Sequence, residues 1–334
     1  MKWYPWLRSS FEQLIASYQA GRGHHALLIQ AQAEMGADAL AYALTRYLMC
    51  QQPDGHKSCG QCHSCQLMQA ATHPDYYVME PEKGKSTLGI DAVRSVSEKL
   101  YEHSRLGGAK VVWIADAALL TEAAANALLK TLEEPPKNTW FFLACEEPTR
   151  LLATLRSRCR FYHLTAPSEH YALAWLAREI TASQETLLAA LRLSDYAPAA
   201  ALTLLQQDNW SAREKLYQAV AMALTTGDWL AILPILNHDS VVQRLHWLST
   251  LLLDALKYQQ RISRVTNTDS LILVGQLAQS LSTRVLQTWV ADACRCREQL
   301  LSVTGLNREL ILTERLLRWE YYLQPGAVLP ASHL

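Results

Sequence analysis

Four of the eight cysteines fall between Cys50 and Cys65, spaced x8, x2, x2 as Cys50, Cys59, Cys62 and Cys65. Cys-x2-Cys turns bring thiolates close enough to share one ion, and a fourth thiolate completes the tetrahedral shell that zinc prefers. Four protein ligands leave no position for water, so the expected centre is a structural Zn2+ site and not a catalytic one. Gly55 and Gly60 suit a tight metal-clipped loop, with Cys50 supplied by the end of the preceding helix. His56 and His63 are spare ligands that four thiols make unnecessary. Unbound thiols, an iron–sulfur centre and a redox pair are the competing readings; the Cys-Pro that ends ferredoxin-type spacing is absent. Cys294 and Cys296, two apart on an expected helix, point to different faces and, with Cys145, read as packed or free thiols.

The second candidate is a phosphate loop that has lost its chemistry. Ala31-Gln32-Ala33-Glu34-Met35-Gly36-Ala37-Asp38 lies between a strand and a helix, where a GxxxxGK[ST] loop belongs. That loop needs glycines to let N–H groups cradle phosphates, Lys to reach them, and Ser/Thr to hold magnesium. Here Ala31 stands at the first Gly, Ala37 at the Lys and Asp38 at the hydroxyl, and only Gly36 survives. At the end of the next buried strand, Ala115 and Asp116 stand where an ATPase carries Asp for magnesium and Glu for water. No nucleotide is therefore expected on this chain, and no intrinsic ATPase activity.

Elements of α/β type must position these residues. Ala26–Gln30, Tyr76–Met79, Val111–Ala115, Trp140–Cys145 and Arg160–Leu164 read as strands. Helices are expected from about Asp38 to Cys50, from Ile90 to Tyr101, and from an N-cap at Thr121 to Glu133-Glu134, where Pro135-Pro136 stops the last. Strands joined by helices imply βαβ units and a mainly parallel sheet. Beyond Pro167 only helical periodicity remains, broken at Tyr196-Ala197-Pro198 and Asp208-Asn209. The leucine-rich segments Arg244–Leu256 and Leu310–Leu323 carry wide apolar stripes that suit a bundle core or, in part, a subunit interface. The aromatic cluster Trp3, Tyr4, Pro5 and Trp6 is expected to pack on the first domain.

Composition narrows the class. The 334 residues exceed one typical domain, and 50% are hydrophobic against 19% charged. Thirty-one Lys plus Arg balance thirty-one Asp plus Glu, so bulk positive charge does not hold nucleic acid. Lys83, Lys85, Arg94, Lys99, Arg105 and Lys110 are candidates for a local basic face. No apolar run approaches the ~18 residues that cross a bilayer, and no export signal stands at the N-terminus. A cytoplasmic protein is expected.

Two further motifs complete the pattern. Asn126-Ala127-Leu128-Leu129-Lys130-Thr131-Leu132-Glu133-Glu134-Pro135-Pro136 resembles a helix of bacterial clamp-loader ATPase subunits, and Ser157-Arg158-Cys159 matches their Ser-Arg-Cys motif. The cysteine cluster lies after the first helix, where that family carries its zinc module, and the resemblance spans about residues 1–330. It implies an AAA+ parallel-sheet domain with a degenerate phosphate loop (1–166, zinc module at 50–65), a small helical domain (167–207) and a C-terminal helical collar for oligomerisation (208–334). It implies a DNA polymerase III clamp-loader ring of five subunits, with gamma/tau and delta neighbours, that uses ATP to open a sliding clamp and place it on primed DNA. Gamma/tau keeps an intact phosphate loop and this chain does not. Arg158 would then act in trans, as an arginine finger on ATP held by a gamma/tau neighbour, with Ser157 and Cys159 as its motif; the competing reading is that Arg158 merely pairs with an acidic neighbour. Glu146 stands where ATP-binding relatives usually carry a polar sensor residue. An autonomous ATPase with an unusual loop and a zinc-containing nucleic-acid-binding module are the alternatives.

Overall fold

Runs of apolar residues with both faces covered build the sheet of the N-terminal half in the computed structural model, which describes residues 2–82, 84–303 and 305–330. The strands β1 (Ala26–Gln30), β2 (Tyr76–Met79), β3 (Lys110–Ile114), β4 (Thr139–Cys145) and β5 (Arg160–His163) form one five-stranded sheet in the order β2-β3-β4-β1-β5. Every neighbouring pair is parallel. The central strands β1, β3 and β4 are buried almost throughout, as a sheet covered on both faces requires, whereas edge strand β5 is largely exposed.

Helices α1 (Leu7–Gln19), α2 (Ala37–Met49), α3 (His63–Gln69), α4 (Ile90–Tyr101), α5 (Glu122–Glu133) and α6 (Ala153–Ser157) accompany these strands. Thr121 caps α5 by accepting the Ala124 N–H, as its position predicts. Under the sheet, Leu128 and Leu132 of α5, Leu155 of α6, and Val93 and Leu100 of α4 share one core with Val112, Ile114, Phe141 and Leu143. The basic face is only partly realised. Lys110 is buried, and its ammonium group donates to the carbonyls of Leu100 (2.7 Å), Lys99 (3.3 Å) and Glu102, where it satisfies and complements the C-terminus of α4. Lys85 pairs with Glu82, Arg94, Lys99 and Arg105 are exposed, and Lys83 lies outside the described residues.

The chain divides into two compact units, residues 1–167 and 168–334. The second is helical: α7 (Glu169–Glu179), α8 (Gln184–Leu193), α9 (Pro198–Leu204), α10 (Gln207–Thr226), α11 (Leu233–Leu236), α12 (Val241–Gln259), α13 (Leu271–Ser280), α14 (Thr283–Ser302) and α15 (Arg308–Tyr322). Asp208 and Asn209, expected as a break, lie instead in the first turn of α10, and the interruption falls at Leu205 and Gln206. The Asn209 side-chain amide donates to the Thr203 carbonyl at 3.0 Å, so the polar residue that suggested a loop closes the end of α9. Trp229, Trp289 and Trp319 fill part of this unit's core, with the last two rings stacked at 4.5 Å. Arg213, 1% exposed, donates to both Asp269 oxygens (2.7 and 2.9 Å) and to Asn267, while Asp254 accepts from Thr266 and Asn267. In α15, Leu312 and Leu316 face inward while Leu310 and Leu317 are exposed, so the apolar stripe is wider than the core needs.

Candidate functional site

Chain geometry brings the four cysteines together. Cys50 follows the last residue of α2, Cys59 lies on the loop, Cys62 is the N-cap of α3 and Cys65 sits in its first turn. Their sulfurs all lie within 4.8 Å of one another, with Cys50–Cys59 at 3.5 Å and Cys50–Cys62 and Cys59–Cys65 at 4.0 Å. A tetrahedron of ~2.3 Å zinc–sulfur bonds has edges of about 3.8 Å, so the set fits such an ion. The four cysteines can hold a metal ion. N–H groups of Gln61 and Cys62 draw the Cys59 thiol down to about 6, while burial pushes Cys65 up to about 12. His56 and His63 are not members of the cluster.

A chain of polar contacts fixes this module to the sheet. Ser64, beside Cys65, donates to the Met49 carbonyl at 2.7 Å, and its hydroxyl lies 3.0 Å from His73 Nε2. His73 Nδ1 accepts the Asp75 N–H at 3.1 Å, which places the imidazole proton on Nε2, facing Ser64. Burial holds His73 below its ordinary pKa and keeps it neutral. The Asp75 carboxylate in turn accepts from Ser104 and from the Arg105 and Leu106 N–H groups.

The degenerate phosphate loop lines a cleft of ≈ 260 Å³ together with Ala115, Asp116, Cys145 and Glu146. Among the described residues, four carboxylates, those of Glu34, Asp38, Asp116 and Glu146, belong to its lining, and no Lys or Arg does. Such a lining opposes a polyphosphate. Asp116 is already engaged, since it accepts the Ala118 N–H at 2.9 Å and caps the turn after β3. The aromatic N-terminus packs beside the loop: Trp6 Nε1 donates to the Met35 carbonyl at 2.9 Å and stacks on Tyr4. Gly36 has φ 92°, and a Cβ there would come within 2.8 Å of the Tyr4 ring. The surviving glycine thus serves a close approach of the chain to itself.

Arg158 caps the C-terminus of α6, directly before β5. Its Nε donates to Glu133 Oε1 at 2.5 Å, its Nη2 pairs with the same oxygen, and its Nη1 donates to the Thr154 carbonyl at 2.9 Å. Ser157 is exposed and donates back to Thr154, while Cys159 is half-buried against the sheet core, its thiol pushed up to about 12 by burial. The structure therefore separates the sequence-predicted residues into three places: the cysteine module, the cleft at the C-terminal ends of β1 and β3, and the turn before β5.

Comparison with known proteins follows this layout. Models of the DNA polymerase III delta subunit, of the AAA+ ATPase lid domain of DNA polymerase III subunit delta′, and of the C-terminal region of the delta subunit match residues 7–168, 167–206 and 207–321. The chain is 66% identical over 334 residues to DNA polymerase III subunit delta′ of Escherichia coli K12, covering 100% of both chains. It is 53% identical over 332 residues to that of Yersinia pestis, covering 98% of each. The chain belongs to the DNA polymerase III subunit delta′ family. DNA polymerase III subunit tau of Escherichia coli K12 is 32% identical over 146 residues, 44% of this chain and 22% of tau.

As a member of the delta′ family the chain is a clamp-loader subunit, with an AAA+ sheet followed by helical segments. Within this frame, residue types alone did not disclose Glu133 as the partner of Arg158 or Ser64 and His73 as struts of the cysteine module. Glu133 reads as part of a helix end, and Ser64 and His73 are isolated polar residues whose pairing depends on the fold. The expectation that the aromatic N-terminus packs on the first domain holds for Tyr4 and Trp6, which are half-buried beside the loop, whereas Trp3 and Pro5 are exposed.

Proposed function

We propose that this chain is the non-ATPase member of a clamp-loader ring, a stator that donates Arg158 in trans to ATP held by a neighbouring gamma/tau subunit. The observation that carries this reading is the cleft at the former phosphate loop, with four carboxylates and no Lys or Arg in its lining among the described residues. A subunit that cannot neutralise a triphosphate contributes to an ATP-driven machine through its neighbours. A guanidinium set against a γ-phosphate neutralises charge that develops in the transition state, an effect worth about 10³–10⁵ in rate in other arginine-finger systems. Only side chains of this subunit would act at that site; the nucleotide and its magnesium would belong to the neighbour.

Cys50, Cys59, Cys62 and Cys65 hold a structural zinc ion in this reading, and the ion clips the loop between α2 and α3. The C-terminal helices supply the collar, and the exposed Leu310 and Leu317 of α15 offer apolar surface to neighbours in the ring. With balanced charge, the chain meets primed DNA and the sliding clamp through the assembled complex, in the cytoplasm, as a component of a DNA-directed DNA polymerase. An autonomous ATPase is disfavoured by the acidic cleft, and a free-standing nucleic-acid module by the zero net charge.

The test is reconstitution of clamp loading onto primed DNA from purified gamma/tau, delta and clamp, with and without this chain. Loading is expected only when the chain is added back. Full loading in its absence would overturn the reading.

A further inference from the structure

We infer that Glu133 is the positioning residue of Arg158, holding the guanidinium with its free edge turned away from α5 and toward a phosphate oxygen on a neighbour. This inference rests on the proposed role of Arg158 in trans and names what prepares it.

A guanidinium carries five N–H groups in a fixed planar fork. Glu133 Oε1 takes one from Nε and one from Nη2, and the Thr154 carbonyl takes one from Nη1. That engages three of five and leaves one N–H on each of Nη1 and Nη2. Two such donors suit paired oxygens of a phosphoryl group. The Glu133 carboxylate thus grips the fork from its Nε/Nη2 side and leaves one N–H on each Nη nitrogen for the ligand.

Both ends of this grip are anchored. Arg158 is fixed in the main chain at the end of α6, its N–H donating to Leu155 O at 3.2 Å, and Leu155 is buried in the sheet core. Glu133 is the last residue of α5, whose Leu128 and Leu132 lie in the same core. The carbonyl of Leu132 meets His25 Nε2 at 2.8 Å at the entry to β1, and Pro135-Pro136 forbid the helix to continue. Without Glu133 the long Arg158 side chain would keep only the bond from Nη1 to the Thr154 carbonyl and could turn about it, although its backbone would stay in place.

A plain surface ion pair contributes little to stability. With side-chain exposures of 31% and 49%, this pair belongs to that class, so stability is not where its loss would register. Orientation is, because a misplacement of about 1 Å in a catalytic group lowers rate by up to ~10²-fold.

The experiment uses the reconstituted loader carrying Glu133→Ala, Glu133→Gln, Glu134→Ala, Arg158→Ala or the Glu133→Ala/Arg158→Ala pair, with DNA- and clamp-stimulated ATP hydrolysis as readout and sizing to verify assembly. Glu133→Ala is expected to lower kcat about three- to tenfold, with KM for ATP within about twofold of wild type and thermal stability unchanged. Glu133→Gln keeps an acceptor oxygen and is expected to recover part of the loss, while the neighbouring Glu134→Ala leaves the rate at the wild-type value. In the Arg158→Ala background, Glu133→Ala should add nothing. A fall for Arg158→Ala beside an unchanged Glu133→Ala would overturn the inference about Glu133 and spare the role of Arg158. An unchanged Arg158→Ala would overturn both. A rise in rate for Glu133→Ala would show the carboxylate to sequester Arg158 and would equally overturn the inference.

Discussion

Cys62 has two tasks that one substitution separates. It is a member of the four-thiol cluster and the N-cap of α3, where its side chain accepts the Cys65 N–H. Serine is at least as good an N-cap, so Cys62→Ser keeps the helix start and removes only a metal ligand. The variant is expected to lose zinc and to destabilise the N-terminal unit; metal analysis that finds one zinc per chain in it would contradict four-thiolate ligation. His73 supplies a pH test. Its folded-state pKa lies below its ordinary value because of burial, so the neutral form stabilises the fold above about 6.5 and this contribution fades as pH falls below that value. Wild type should therefore exceed His73→Gln in melting temperature at pH 7.5 by more than at pH 5.5. A gap that stays constant, or widens in acid, would exclude the neutral imidazole as the strut between Ser64 and Asp75. The cysteine spacing was legible in the sequence because ligands must sit close along the chain; the supporting Ser64–His73 contact was not, since it joins residues whose meeting depends on how β2 follows α3.

Elements carry the same contrast. β1, β3, β4 and α5 are legible because full burial or a cap leaves a local signature: apolar runs bounded by polar residues, Thr121 before α5, Pro135 after it. α1 and α3 left weaker marks. α1 buries only Leu7, Leu14 and Ile15, a narrow stripe on a largely polar helix, and the turns of α3 lie inside a loop whose cysteines dominate its reading. Asp208-Asn209 misled because a polar pair that signals a break by composition instead starts α10 and caps α9. The loop before α2 is the element with the clearest functional consequence. Its cleft, lined by four carboxylates, predicts no saturable heat when the isolated chain is titrated with ATP at millimolar concentration, and a well-defined binding isotherm would refute the degenerate-loop reading. In the helical unit, the packing of α10 against the segment before α13 hangs on Arg213. Arg213→Ala would leave the Asp269 carboxylate without its partner, while Asn267 keeps Tyr217 and Asp254, and should cost about 3 kcal/mol in urea unfolding, the low end for an opened buried pair. A loss under ~1 kcal/mol would show the network to be ornamental.

At the scale of the whole molecule the two units divide labour. One carries an AAA+ sheet with a cleft lined by four carboxylates, a thiol cluster and an arginine beside β5. The other is an all-helical body with apolar residues left over on its surface. Full-length identity to delta′ relatives makes this arrangement that of a clamp-loader subunit, and fold alone would have suggested a nucleotide-binding enzyme. The proposed division suits a machine whose active sites are shared: on this reading a subunit without nucleotide would hold the same shape through every cycle while Arg158 serves the next subunit. The measurement that reaches this claim most directly is DNA- and clamp-stimulated ATP hydrolysis by the reconstituted loader, comparing wild type with Arg158→Ala. The account predicts a large fall in rate with the complex still assembled. An unchanged rate in an intact complex would contradict it and leave the chain a scaffold alone.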